Sequence, residues 1–293
     1  MLNDPEAERL LQDAARAYAG GDKLGAAALA RQVLLRRPGE ARALQLLGVI
    51  ALEAKDFAAA RRHLEASNAA RPNAATLNMI GVAANQTGDG SAASAAFRRA
   101  GELGLIDGWR NLALVAGDTD AAIGAFEKAL ALAPDDSASH AGLAKAFEAR
   151  HDPGRARTHA EAALKREPGN AVARLALARV LMRERNFAGA EAALAPAVNA
   201  PAMSAEHRIV ALGLIGDARD RAGDASGAFE AFTAANQLSL QIHQAWLNAT
   251  ERLYHPDNVK RVAALVDASP APERTPRAFE TPAPVFLVGF PRS

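Results

Sequence analysis

The sequence predicts an all-α solenoid of about seven stacked helical hairpins over residues 1–238, and three observations carry that prediction. Alanine supplies much of a 49% hydrophobic fraction while aromatics reach only 5%. Alanine has the highest helix propensity and little bulk, so helices rich in it pack closely and need no large globular core. Prolines recur at a fixed period, Pro38 and Pro72 standing 34 residues apart, as do Pro134 and Pro168. Glycine–aspartate clusters, Gly20-Gly21-Asp22, Gly88-Asp89-Gly90, Gly117-Asp118 and Gly223-Asp224, fall where the first helix of a unit should stop.

The units align on large and small positions. The second places Leu44, Leu47, Gly48 and Ala51 on a first helix, Ala60 and Leu64 on a second, and ends at Pro72. The first gives Leu10, Ala14, Ala26, Ala30 and Pro38; the third gives Leu77, Ile80, Gly81, Ala84, Ala93, Phe97 and Ala100. The fifth, sixth and seventh follow with Leu143-Ala144 to Ala163, Leu177-Ala178 to Ala197, and Leu212 to Ala235. This pattern resembles the tetratricopeptide (TPR) repeat. Positions 4, 7, 8 and 11 of such a unit share one helical face, and small residues at 8 and 20 let the two helices approach. One hairpin cannot bury its stripe alone, so neighbours must cover it; the resemblance implies a right-handed superhelix with a concave groove. The fourth unit is irregular, because Phe97 and Phe126 are only 29 residues apart, and its first helix should be short.

Composition narrows the functional classes. A formal net charge of +1 offers no overall attraction to nucleic acid or anionic membrane, so neither is an expected partner. Without cysteine there is no disulfide, thiolate metal site or cysteine nucleophile, which fits a reducing compartment; the cytoplasm is the expected location. The start, Met-Leu-Asn-Asp-Pro-Glu, lacks the basic and apolar stretches of a signal peptide, and no apolar run is long enough to cross a bilayer. The histidines show no metal spacing; His140 reads as a core or edge residue, Asp135-Asp136-Ser137 as a helix cap, and Trp109 and Trp246 as packing residues. The array contains no catalytic set, and no metal or cofactor is expected within it.

After the array the chain changes character. Residues 239–268 read as capping helices, with Ile242, Trp246 and Leu253 able to cover the last hairpin; residues 269–284 form a proline-rich linker. Residues 285–293, Val-Phe-Leu-Val-Gly-Phe-Pro-Arg-Ser, begin as a buried strand running into a glycine-containing loop. This end resembles the first phosphosulfate-binding segment of the sulfotransferases, of whose motif Pro291, Arg292 and Ser293 are present. The larger resemblance is to bacterial proteins that place TPR repeats before a sulfotransferase domain. It implies sulfate transfer from 3′-phosphoadenosine 5′-phosphosulfate (PAPS), with Arg292 meeting the 5′-phosphosulfate and Ser293 adding a hydroxyl contact. The rest of that domain lies outside this sequence, so residues 1–293 alone are expected not to transfer sulfate.

First-helix positions 2, 5, 9 and 12 lie opposite the packing face and should line the groove. They give Arg42, Gln45, Val49, Asn78, Val82, Asn85, Lys145, Glu148 and Arg179, with Arg110, Asn111 and Arg183 close by. Asparagine can hold an extended backbone through paired donor and acceptor, and the cations favour acidic side chains or a terminal carboxylate. The expected ligand is an extended, acidic protein or peptide segment, recruited or positioned as substrate or partner of the sulfotransferase. Two other readings stand beside it: a free-standing adaptor with no enzyme in the same chain, and a scaffold for homo-oligomers.

Overall fold

In the computed structural model, residues 4–201, 203–247 and 260 are described. Among them are fourteen α-helices and no strand. The first helices of the hairpins are α1 (Pro5–Ala19), α3 (Ala41–Glu53), α5 (Ala74–Gln86), α7 (Ile106–Leu114), α9 (Ser137–Ala149), α11 (Ala171–Arg183) and α13 (Ala205–Arg221). The second helices are α2 (Lys23–Arg36), α4 (Phe57–Ala70), α6 (Gly90–Glu102), α8 (Thr119–Leu132), α10 (Pro153–Arg166), α12 (Phe187–Val198) and α14 (Ala225–Leu247). Each helix packs on the next in sequence through α13, which is the nearest-neighbour architecture the period predicts. Helix α14 runs unbroken through Ser239, so the end of the seventh hairpin and the start of the expected cap are one helix. Trp246 lies in this helix, but its side chain lies outside the described residues, as do Leu253, the linker and the strand expected at 285–293.

The sequence explains how each hairpin turns. In six of the seven, one residue with positive φ follows the first helix: Gly21, Gly88 and Gly223, and also Lys55, His151 and Arg185 at φ near 60°. The next residue is always Asp or Asn. Its backbone N–H closes the old helix, as Asp89 N does on Ala84 O at 2.9 Å, and its side chain opens the new one, as Asp89 Oδ1 does by accepting Ala92 N at 3.0 Å. A single residue thus serves as helix stop and helix start, satisfying orphan groups of both helices. The fourth hairpin departs from this scheme. Helix α7 ends at Leu114, and the expected stop at Gly117 has no positive φ; a four-residue turn leads instead to Asp118, which caps α8 through Ala121 N at 2.8 Å.

Packing within a hairpin depends on a small residue on the first helix facing a bulky one on the second. A β-carbon placed on Gly81 would stand 2.5 Å from Phe97, itself only 2% exposed, and one on Gly48 would meet Leu64 in the same way. Gly216 stands against Phe232 in the same way in the seventh hairpin, whereas around α9, α10 and α11 three alanines, Ala144, Ala160 and Ala176, pack small against small. The core follows this seam as a chain of clusters from Leu10 and Leu11 to Ala211 and Ile215. Trp109, 7% exposed, anchors the short α7, with Lys128 Nζ 4.6 Å from its ring centroid. On the second-helix side, Arg61 donates to Asp89 of the next hairpin at 2.8 Å, and Arg157 to Glu184. Partly exposed pairs of this kind add little stability, so the apolar seam carries the fold.

The two backbone devices give a paired prediction. Gly81→Ala overpacks a filled seam and is expected to lower the free energy of unfolding by about 1–3 kcal/mol in a urea titration. Arg185→Gly relieves a strained left-handed residue, and its urea midpoint should not fall.

Candidate groove and cleft

The residues expected to line the groove do lie along the first helices, and most are tied to the neighbouring first helix. Arg42 on α3 grips Glu8 on α1 with two bonds of 2.7 Å, supported by Glu40. Those bonds, above all the one to Glu8, hold the Arg42 guanidinium charged more firmly than usual, and the same bond lowers the Glu8 carboxyl. Asn111 Nδ2 on α7 donates to Asn78 Oδ1 on α5 at 2.9 Å. Arg110 donates to Asp107 and, at 3.1 Å, to Asp136, the cap of α9. Partial burial pulls the Arg110 guanidinium down, but the two carboxylates outweigh it and raise it overall. Arg183 on α11 donates to Glu148 Oε1 on α9 at 2.7 Å, while Arg179 lies 3.9 Å from the same carboxylate.

This ladder alters the expected charge of the face. Arg42, Arg110, Arg179 and Arg183 are each matched by an acid within the array, so the face is less basic than its residue types suggest. Glu148, expected among the exposed groove residues, is instead buried under two arginines. Among the described residues, Gln45, Asn85 and Lys145 make no side-chain hydrogen bond or ion pair. Asn85 and Lys145 are exposed and Gln45 is half-buried. Arg292 and Ser293 lie outside the described residues.

At the irregular hairpin the face opens. Helix α7 has 9 residues where α3, α5, α9 and α11 each have 13, so α9 has no full-length first helix on its α7 side. A cleft of about 660 Å³ occupies the gap, bounded by α7, α8, α9 and the start of α11. Its walls are largely apolar, including Ala113, Leu114, Ala122, Phe126 and Ala146, and Arg110, Asn111, Lys145 and Asn170 stand among them. The volume falls within the range of about 300–1,000 Å³ typical of ligand pockets. Sequence reasoning placed Arg110, Asn111 and Lys145 on the groove but did not anticipate the cleft. The 29-residue spacing from Phe97 to Phe126 was the available signal, because a lost helical turn must leave a space.

Behind α9 sits a histidine pair. His140 Nδ1 and His159 Nδ1 are 2.9 Å apart, His140 Nε2 reaches Pro134 O at 3.0 Å, and His159 stacks on Phe147 at 5.5 Å. The pair is a hydrogen-bonded link between α9 and α10. Asp136 caps α9 by accepting Ser139 N at 2.9 Å, as the sequence indicates.

Comparison with known proteins follows the same pattern. Two family models, both described as tetratricopeptide repeat, match residues 147–208 and residues 111–151. The chain resembles the crystal structure of MamA protein at 24% identity and a TM-score of 0.51, over 57% of this chain and 96% of that one. It resembles a tetratricopeptide repeat protein from Parabacteroides merdae at 13% identity and a TM-score of 0.60, over 90% and 100%. Resemblance to a chain of the APC/C hetero-tetramer Cut9-Hcn1 is at 17% identity and a TM-score of 0.58, over 85% and 47%. No curated protein matches the sequence. The models mark tetratricopeptide repeats within residues 111–208, and with the fourteen helices the structural matches give the array the fold of a TPR-like solenoid; no described helix is long and apolar enough to cross a membrane.

The histidine link makes stability depend on pH. Burial, then the neighbouring His140 and Arg155, hold the His159 imidazole below its ordinary value; burial, Arg62 and Arg31 do the same to His63. The unfolded chain therefore binds protons that the folded chain resists, and stability is lost as pH falls below about 6.5. His159→Gln is expected to flatten part of the decline in melting temperature between about pH 7.5 and pH 5.5.

Proposed function

We propose that the chain is a protein- or peptide-binding module whose first-helix face holds an extended segment of a partner. The observation that carries this reading is the ladder itself. It uses the groove arginines to hold first helices together, yet among the described residues leaves Asn85 and Lys145 exposed and unpartnered, with Lys145 at the edge of an apolar cleft. The amide pair Asn78–Asn111 keeps an unused donor or acceptor on each side chain, which suits main-chain groups of an extended segment. Acidic character in that segment is supported by Lys145 alone, since the other groove cations have acids beside them. The similarity to a chain of a hetero-tetrameric assembly is in keeping with a protein partner.

We further propose that the module recruits or positions a substrate or partner for a PAPS-dependent sulfotransferase domain that continues the polypeptide beyond Ser293. Support comes from the sequence Val285 to Ser293, where an apolar strand-forming run enters Pro-Arg-Ser. A charge-assisted arginine contact to the phosphosulfate is the chemistry expected of Arg292.

Two experiments test these readings. Replacing Asn78, Asn85, Lys145 and Arg179 together with alanine should weaken an identified partner by about tenfold or more; unchanged affinity eliminates the face. Calorimetry on the native full-length product should detect PAPS binding, weakened about tenfold or more by Arg292→Ala. A native product that ends at Ser293 by intact mass and binds no PAPS would leave an adaptor without an enzyme.

A further inference from the structure

We infer that the cleft between α7 and α9 is an anchor pocket for one bulky apolar side chain, of phenylalanine size, in a partner segment that carries a carboxylate beside it. This rests on the reading of the first-helix face as peptide-binding and names what that face selects. The pocket exists because α7 stops at Leu114, which exposes the flanks of α8 and α9 that a full-length helix would cover. Its floor is methyl and ring carbon from Ala113, Ala122, Phe126 and Ala146, with Leu114 at the rim 75% exposed. Such walls favour an apolar group over water and offer little to a phosphate or a nucleotide.

The polar groups of the cleft fix the second half of the ligand. Arg110 is occupied by Asp107 and Asp136, Asp118 accepts Ala121 N as a helix cap, and Asn170 holds Ser137, Glu167 and the start of α11. Lys145 is the lining cation without a partner among the described residues, and it is exposed at the cleft edge. A carboxylate next to the apolar side chain meets it there, and the charge-assisted bond adds selectivity to the apolar seat. The seat is thus one apolar side chain deep and one acid wide.

The test uses the full 293-residue chain with methyl-labelled alanine, titrated in the millimolar range with acetyl-Gly-Phe-Glu-Gly-amide and followed by NMR. The expected result is that the Ala113, Ala122 and Ala146 methyls shift together. Binding should weaken about tenfold when the probe carries alanine for phenylalanine, or lysine for glutamate. Ala138→Trp, which fills the cleft from an exposed position, and Lys145→Glu should each have the same effect without lowering the melting temperature. Equal binding of the alanine-substituted probe overturns the pocket. Shifts confined to methyls elsewhere on the first helices, such as the exposed Ala75 beside Asn78, overturn the pocket and leave the face as the binding surface. Absence of shifts on any first helix overturns both.

Discussion

The array depends on the close approach of the two helices of a hairpin, permitted by a small residue on the first helix and sharpest where a glycine there faces a large side chain on the second. Gly81 against Phe97 and Gly48 against Leu64 set the distance between the two helices of a hairpin. That distance places the next hairpin, because each stripe is completed only by its neighbour. The turns then have little freedom, and the Asp or Asn that ends one helix while starting the next fits the short connection left to it. Ion pairs between repeats, such as Arg42 with Glu8 and Arg61 with Asp89, follow from this spacing and do not create it.

The same contact explains why the fourth hairpin can differ without ending the array. Trp109 is buried on α7 and Phe126 on α8, so the hairpin keeps its anchors while giving up a turn of first helix. The loss falls on the first-helix face that we propose holds a partner segment. A solenoid of uniform hairpins presents a continuous wall of first helices; one shortened helix converts part of that wall into a recess that reaches second-helix side chains such as Phe126. Specificity can thus arise from a deletion in the repeat, with no catalytic or charged motif to mark it.

Much of the fold was legible because period and patterning are local properties of sequence. Hairpin count, the small positions, the glycine stops at Gly21, Gly88 and Gly223, and the shortness of α7 all follow from residue type and spacing. Less legible were stops at Lys55, His151 and Arg185, where tertiary packing imposes a left-handed residue that no propensity favours. The candidate site was legible only as residue types. Arg110, Lys145 and Arg183 look alike in sequence, yet Arg183 reaches Glu148 across 35 positions and Lys145 reaches no acid among the described residues. Which cation remains free is decided by contacts between repeats, which sequence spacing brings close but does not orient.

The most direct test of the central claim, that the broken repeat is where a partner segment seats, is photocrosslinking with a peptide bearing benzophenone in place of its phenylalanine. Crosslinks read by mass spectrometry are expected on α7, α8 and α9 around Ala113, Phe126 and Ala146. The competing apolar surface is on α2, where Leu24 is 87% and Leu35 is 85% exposed. Crosslinks concentrated there would contradict the account.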